Sequence, residues 1–279
     1  MMKCILATVM FGVIAGSAMA VELPPEIAKQ GSLKVAIVPN YPPMEFRDPA
    51  TSTLTGFDVE LGEALGRKLG IKIVWQETSF DQMMPAIATG RVDAILSGIT
   101  DMASRQDTAT FVDYLRSGPR FFAQQSRAAE FKEPAALCGK NVGASRRTSF
   151  PKNIAEWSDA HCAGNPVKFV GTEGSADART QLKQGRLDAA VQGGETLPYI
   201  MDLEPGAYVP IGDAFAVQFT GLALGVKEKV LQQAVVEALG RVDRGRLLSR
   251  AADEMEIDRL RRRKGDDQCW TVKHLRASP

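Results

Sequence analysis

The sequence predicts an α/β protein made of two similar lobes, on three observations. A β-α-β-α-β order runs from residue 32 to residue 99, the same order restarts at residue 140, and both runs close on one phrase. That phrase is Gly-Arg-(Val/Leu)-Asp-Ala, within TGRVDAILSGIT at 89–100 and QGRLDAAVQGGE at 184–195. Alternating strands and helices argue for a parallel sheet with covering helices. A glycine closing a helix and an aspartate opening the next strand is also an ordinary turn, which leaves that explanation open for either copy. Two complete units that end alike favour two lobes.

Taken in order, a short helix-like piece, PPEIAKQG, precedes SLKVAIVPNYPPMEF, a β-type run broken by prolines. GFDVELGEALGRKLG follows as a helix, with Val59, Leu61, Leu65 and Leu69 near helical spacing and Gly70 as its stop. IKIVWQE reads as the second strand, FDQMMPAIATG as a helix ending at Gly90, and VDAILSGI as the third strand. In the second unit the strands are KNVGAS, VKFVG and LDAAVQG, and the helices are FPKNIAEWSDA and ADARTQLKQG. A last strand and one or two amphipathic helices fill residues 220–257.

The N-terminus is of another kind. A lysine at position 3, the apolar run ILATVMFGVIAG and the small residues SAMA describe a secretory signal peptide over 1–20, cleaved after Ala20. The alternative, an anchoring helix, is disfavoured by a run too short to span a bilayer comfortably. Without Lys3 the chain carries 33 basic and 33 acidic residues, so no global field favours nucleic acid or an anionic membrane. Export permits disulfides. Cys138 and Cys162 bracket a polar segment and are the favoured pair, although connectivity does not follow from sequence; Cys269 is left over in the basic tail 259–279, which reads as a solvated end or a partner site.

Several chemistries have no residues to carry them. The chain has two histidines, His161 and His274, neither in an H-E-x-x-H context, so no metal cluster or triad is expected. No phosphate loop, dinucleotide fingerprint or nucleophile elbow occurs, so neither a cofactor nor catalysis is expected. Polar groups do gather where strands end, which is where α/β sheets bind ligands. SGIT follows the third strand, and Arg105 comes five residues after Thr100. An arginine there suits a carboxylate taken bidentately; an exposed helix arginine is the competing explanation.

The run YPPMEF…GFDVELGEALGRKLG…FDQMMPAIATGRVDAILSGIT…R, with Arg105 as its last residue, is similar to the extracellular solute-binding proteins of family 3, which deliver polar amino acids and related solutes to ABC importers. The likeness covers residues 31–258 and implies a type II periplasmic-binding-protein fold, two α/β lobes joined by two crossover strands around a cleft. It implies a first lobe of 21–117 plus 218–258 and a second of 118–217, with crossovers near Ser117–Arg120 and Phe215–Thr220. It further implies a periplasmic monomer that takes a small carboxylate ligand and docks on a membrane permease. A sensory or accessory binding protein, and a periplasmic lyase of the cyclohexadienyl dehydratase type, are the alternatives on this fold.

Residue by residue, the resemblance makes Tyr41 the aromatic lying against the ligand and Phe80 an apolar pocket residue. Gly98 and Thr100 would offer backbone and hydroxyl contacts to the ligand carboxylate, Arg105 its cation, and Thr148 a second-lobe hydroxyl. Two departures stand out. Family members that bind α-amino acids place an aspartate five residues after the Asp of the second phrase, where it accepts the ligand ammonium; this chain has Gly193, then Gly194. Ahead of Thr148 it has Arg146 and Arg147, which suggests added positive charge. A buried ammonium without its anion is costly, so the expected ligand is a carboxylate, either a diacid or an amino acid whose ammonium Glu195 accepts.

Overall fold

The computed structural model describes residues 21–240 of the 279. The expected signal peptide, the tail 259–279, Cys269 and the part of the expected last helices beyond 240 lie outside the described residues. The chain runs through α1 (Pro25–Gln30), β1 (Ser32–Ile37), β2 (Asn40–Tyr41), β3 (Glu45–Arg47), β4 (Leu54–Thr55), α2 (Phe57–Leu69), β5 (Lys72–Glu77), α3 (Phe80–Ala88), β6 (Ala94–Ile95) and β7 (Ala109–Ser117). It continues through β8 (Pro119–Gln124), β9 (Asn141–Ser145), α4 (Phe150–His161), β10 (Lys168–Thr172), α5 (Ser175–Lys183), β11 (Ala189–Gly193), α6 (Leu197–Leu203), β12 (Tyr208–Ile211), β13 (Gln218–Gly225) and α7 (Lys229–Gly240).

Two five-stranded sheets result, in the orders β5-β1-β6-β13-β7 and β10-β9-β11-β8-β12. In each, the first three strands are parallel and the fourth runs against them. The fourth strand is the exchanged one. The first sheet receives β13, which returns from the second half of the chain, and the second receives β8, which has just left the first. The chain passes between sheets at Gly118, and again between β12 and β13. This is the type II arrangement of two α/β lobes around a cleft.

Period-two alternation assigns the strand faces. Leu33 and Val35 of β1 face a core with Leu61 and Leu65 of α2 and Leu231 and Val235 of α7, while Ala36 faces Met83 and Ile87 of α3. In the second lobe Phe121 and Ala123 of β8 pack on Ile154 and Trp157 of α4, while Phe122 packs on Leu182 of α5 and Ile200 of α6. Phe121 stacks on Phe215 at 4.1 Å between ring centroids and meets Trp157 edge-on at 4.9 Å, a geometry favoured by ring quadrupoles. Cys138 and Cys162 form a disulfide that ties the approach to β9 to the end of α4. Their separation of 24 residues corresponds to about 3–4 kcal/mol on the chain-entropy account.

One expected element is much shorter than its sequence pattern. The third strand, expected over 92–99, is regular only over Ala94–Ile95. Beyond it Ser97 and Gly98 turn aside to bond buried carboxylates, Ser97 Oγ donating to Glu45 and the Gly98 N–H to Asp58. Among the described residues no helix is long and apolar enough to cross a membrane.

Candidate functional site

The two sheets present their strand ends to one cleft. Its first-lobe wall is lined by Tyr41, Glu45, Phe80, Gly98, Thr100 and Arg105, and its second-lobe wall by Thr148, Ser149, Phe150, Glu173, Gly193 and Glu195. Ser117, Gly118, Gln218 and Thr220 line the base, where the chain passes between the sheets. All eight ligand-site residues expected from the sequence thus border the same space.

The cationic end is built locally. Arg105 closes a short turn, Ala103–Arg105, after the strand end. Its Nη1 donates to Thr100 O at 2.7 Å, and its guanidinium lies 5.6 Å from the Phe80 ring centroid. One backbone acceptor and one aromatic face fix the fork's plane, and burial lowers its pKa while leaving it a cation at any ordinary pH. Phe80 therefore orients the arginine as well as lining the cleft.

The acidic end has two parts. Glu195, 8% exposed, accepts from Tyr41 Oη at 2.8 Å on one carboxylate oxygen and from Ser117 Oγ on the other. Burial, and then the charge of Glu195, push the Tyr41 phenol well above its usual pKa, so the tyrosine stays a donor. In the first-lobe wall lies Glu45, 2% exposed, and beneath it Asp58, 0% exposed. Asp58 Oδ2 accepts from the Gly98 N–H at 2.7 Å and Tyr114 Oη at 2.9 Å, and Glu45 Oε1 accepts from Ser97 Oγ at 2.9 Å. Their remaining oxygens, Glu45 Oε2 and Asp58 Oδ1, have no donor. A proton shared between the two carboxyls satisfies both, since a protonated acid gains a donor. Burial raises both groups, Asp58 to about 6 and Glu45 well above the carboxylate range, with the Asp58 charge adding to the latter.

The profile of the bacterial extracellular solute-binding proteins, family 3, matches residues 33–244. The chain belongs to this family. Its similar relatives include the arginine-binding protein ArgT of Corynebacterium glutamicum, 24% identical over 80% of this chain and 74% of that protein. The L-arginine-binding protein of Pseudomonas aeruginosa is 29% identical over 60% of this chain and 62% of that protein. The L-cystine-binding protein TcyJ of Escherichia coli K12 is 25% identical over 78% of this chain and 80% of that protein. Among solved structures, holo ArgBP from T. maritima is 26% identical, with a TM-score of 0.66, covering 78% of this chain and 92% of that one. The ancestral amino acid-binding protein AncCDT-1, a precursor of cyclohexadienyl dehydratase, shares the fold at a TM-score of 0.70 and 24% identity, covering 82% of this chain and 97% of that one.

Within this family 3 cleft, three sequence expectations change in detail. The Gly98 N–H is already given to Asp58, so it is not free for a ligand carboxylate. The Thr148 hydroxyl donates to Ser145 O at 2.8 Å and accepts from the Phe150 N–H at 3.2 Å, so its proton serves the turn ahead of α4. Arg146 and Arg147 add no charge to the cleft lining. Arg146 pairs with Glu173 at 2.7 Å, and Arg147 reaches Asp81 at 3.4 Å across the cleft mouth. These arginines stay in partly exposed pairs because Glu173 and Asp81 offer anions in water, where charge is cheapest to keep.

The glycine pair is explained by what fills its space. A Cβ at position 193 would overlap Glu195 Oε1 and the Tyr41 hydroxyl, so Gly193 is the room into which the Glu195 carboxylate folds. The Gly194 N–H donates to Gly118 O at 2.9 Å, holding the segment against the first passage between sheets. Ser117 and Glu45 are not among the site residues expected from the sequence. Glu45 sits inside the YPPMEF motif and Ser117 just before a glycine at a lobe junction, two signals that could have marked them. Among the described residues no group of three or more His, Cys, Asp or Glu is placed to hold a metal.

Proposed function

We propose that this protein is the periplasmic receptor of an ABC importer and captures a small α-amino acid by closing its two lobes on it. The observation that carries the reading is the charge layout of the cleft, with Arg105 at one end and Glu195 at the other. A carboxylate meets the arginine fork and Thr100, and the ammonium meets Glu195, which stands in for the aspartate replaced by Gly193. A diacid fits poorly, because its second carboxylate would face Glu195. The arginine-, histidine- and cystine-binding names of the relatives accord with an amino-acid ligand.

The trap's lobes are 21–117 with 218–258, and 118–217; the strand pairing supports those bounds, since β13 joins the first sheet and β8 the second. Ligand contacts both walls, so it stabilises the closed form, which docks on the permease as a monomer. The protein is a binder and not an enzyme: its relatives carry binding names, and each cleft carboxylate has a positioning or structural partner. Residues 1–20 direct export and are then removed.

Calorimetry of the mature chain against the twenty amino acids and a set of dicarboxylates tests the proposal. At least one amino acid is expected to bind at micromolar concentration or tighter. Binding of dicarboxylates alone would overturn the assignment of Glu195.

A further inference from the structure

Ser117 is the last residue of β7, the point at which the chain leaves the first sheet. Its hydroxyl donates to Glu195 Oε2, while Tyr41 holds Oε1 from the first lobe. The next residue's carbonyl, Gly118 O, accepts the Gly194 N–H at 2.9 Å. A Cβ on Gly118 would overlap Ala216 O, so both passages between the sheets press together at this point. The segment carrying the acidic end of the cleft is thus fastened to the hinge by two hydrogen bonds, one from a side chain and one to the backbone.

This matters because of where Glu195 stands. Its carboxylate reaches back from two residues beyond the end of β11 on a flexible side chain. Such a side chain surrenders rotamer freedom whenever a ligand orders it. Tyr41 alone grips one oxygen and leaves the carboxylate free to swing about that bond. With Ser117 on the second oxygen the plane is fixed, and each oxygen still keeps a lone pair for an ammonium.

We propose that Ser117 is a positioning residue for amine recognition: from the hinge it holds the Glu195 carboxylate in its ligand-accepting orientation. The same bond joins the ligand's charge to the place where the lobes pivot. This rests on Glu195 being the ammonium acceptor. Because Ser117 acts through Glu195, its contribution disappears when Glu195 is removed.

A double-mutant cycle on the mature chain tests this, with wild type, Ser117→Ala, Glu195→Ala and the double variant. The probes are the amino acid that wild type binds best and its deaminated analogue, measured by calorimetry. Ser117→Ala is expected to weaken the amino acid about tenfold, the usual worth of a hydrogen bond to a charged group. It should leave the analogue within about twofold and add no further loss to Glu195→Ala. Ser117→Thr, which keeps the hydroxyl, should recover most of the affinity, and it serves as the test if the alanine variant fails to fold. Equal weakening of both probes, or a full additional loss in the Glu195→Ala background, overturns the role of Ser117. Wild type that does not favour the amine overturns the reading of Glu195, and Ser117's role with it, and this arm needs no Ser117 variant.

Discussion

The two rhyming strand ends face one cleft and handle charge in opposite ways. After β6, Ser97 and Gly98 are drawn down onto buried Glu45 and Asp58, and Thr100 O turns Arg105 into the cleft. After β11, two glycines leave space, and Glu195 folds back to meet Tyr41 and Ser117. One end keeps its acids buried in and below the wall and displays a cation; the other sets an acid on the space its glycines leave. Equivalent strand ends therefore border one cleft, and side chains a few residues on decide the sign of the charge at each.

Breaking the cationic end should have the largest effect. Arg105→Ala removes a partly buried charge from one side of the cleft, and calorimetry should show affinity falling at least about a hundredfold. Its melting temperature should stay near wild type, because the guanidinium's protein contacts are one carbonyl and one ring face.

The acidic end gives the next effect. Gly193→Ala should push Glu195 and Tyr41 apart and lower affinity for the amino acid about tenfold. In a Glu195→Ala background the same substitution should cost less, since only the Tyr41 hydroxyl then overlaps the added Cβ. Moving the carboxylate back, as Gly193→Asp with Glu195→Ala, should recover amine recognition in the same assay.

The buried pair under the first strand end sharpens the contrast through stability. Asp58→Asn removes the charge that accepts from Gly98 and Tyr114 and should cost about 1–3 kcal/mol in urea unfolding. Glu45→Gln resembles the protonated acid, the form that burial favours, and should cost less than Asp58→Asn. The sign of the pH dependence follows from linkage. A carboxyl raised on folding contributes stability that is present below its unfolded pKa and lost as pH rises through the folded value. The Asp58 contribution therefore fades as pH climbs from its ordinary value of 3.8 toward about 6, and Glu45→Gln should flatten the part of the decline that comes from the raised Glu45 carboxyl. The smallest effect belongs to the cleft mouth, where Arg147→Ala should change stability by less than about 1 kcal/mol, the range of exposed pairs.

Much of the fold could be read before any coordinates, because helices α2 to α5 carry helical spacing with glycine or proline at their ends. The strands β7, β8 and β12 escaped notice. The residues of ATFVDYLRS and PRFFAQ are largely buried on both faces, so no alternation marks them. Residues that line the cleft were recoverable wherever a family motif carried them, as with Tyr41, Thr100 and Arg105. What sequence did not supply was the use of their hydrogen bonds. Nothing in the string GGE says that the glutamate folds back over the first glycine, and nothing in Arg146-Arg147 says that both guanidinium groups turn to Glu173 and Asp81. Those outcomes depend on partners distant in sequence, Asp81 lying 66 residues from Arg147 and Tyr41 154 residues from Glu195.

The most direct test of the account is the preference for an amine, measured as the affinity ratio between the best-bound amino acid and its deaminated analogue. Wild type should favour the amino acid by about a hundredfold or more, the scale of a lost partner at a buried charge. Glu195→Ala should bring the ratio close to unity while both compounds still need Arg105. A ratio that Glu195→Ala leaves unchanged would contradict the account, because the ammonium would then be held by something other than the carboxylate that Gly193 makes room for.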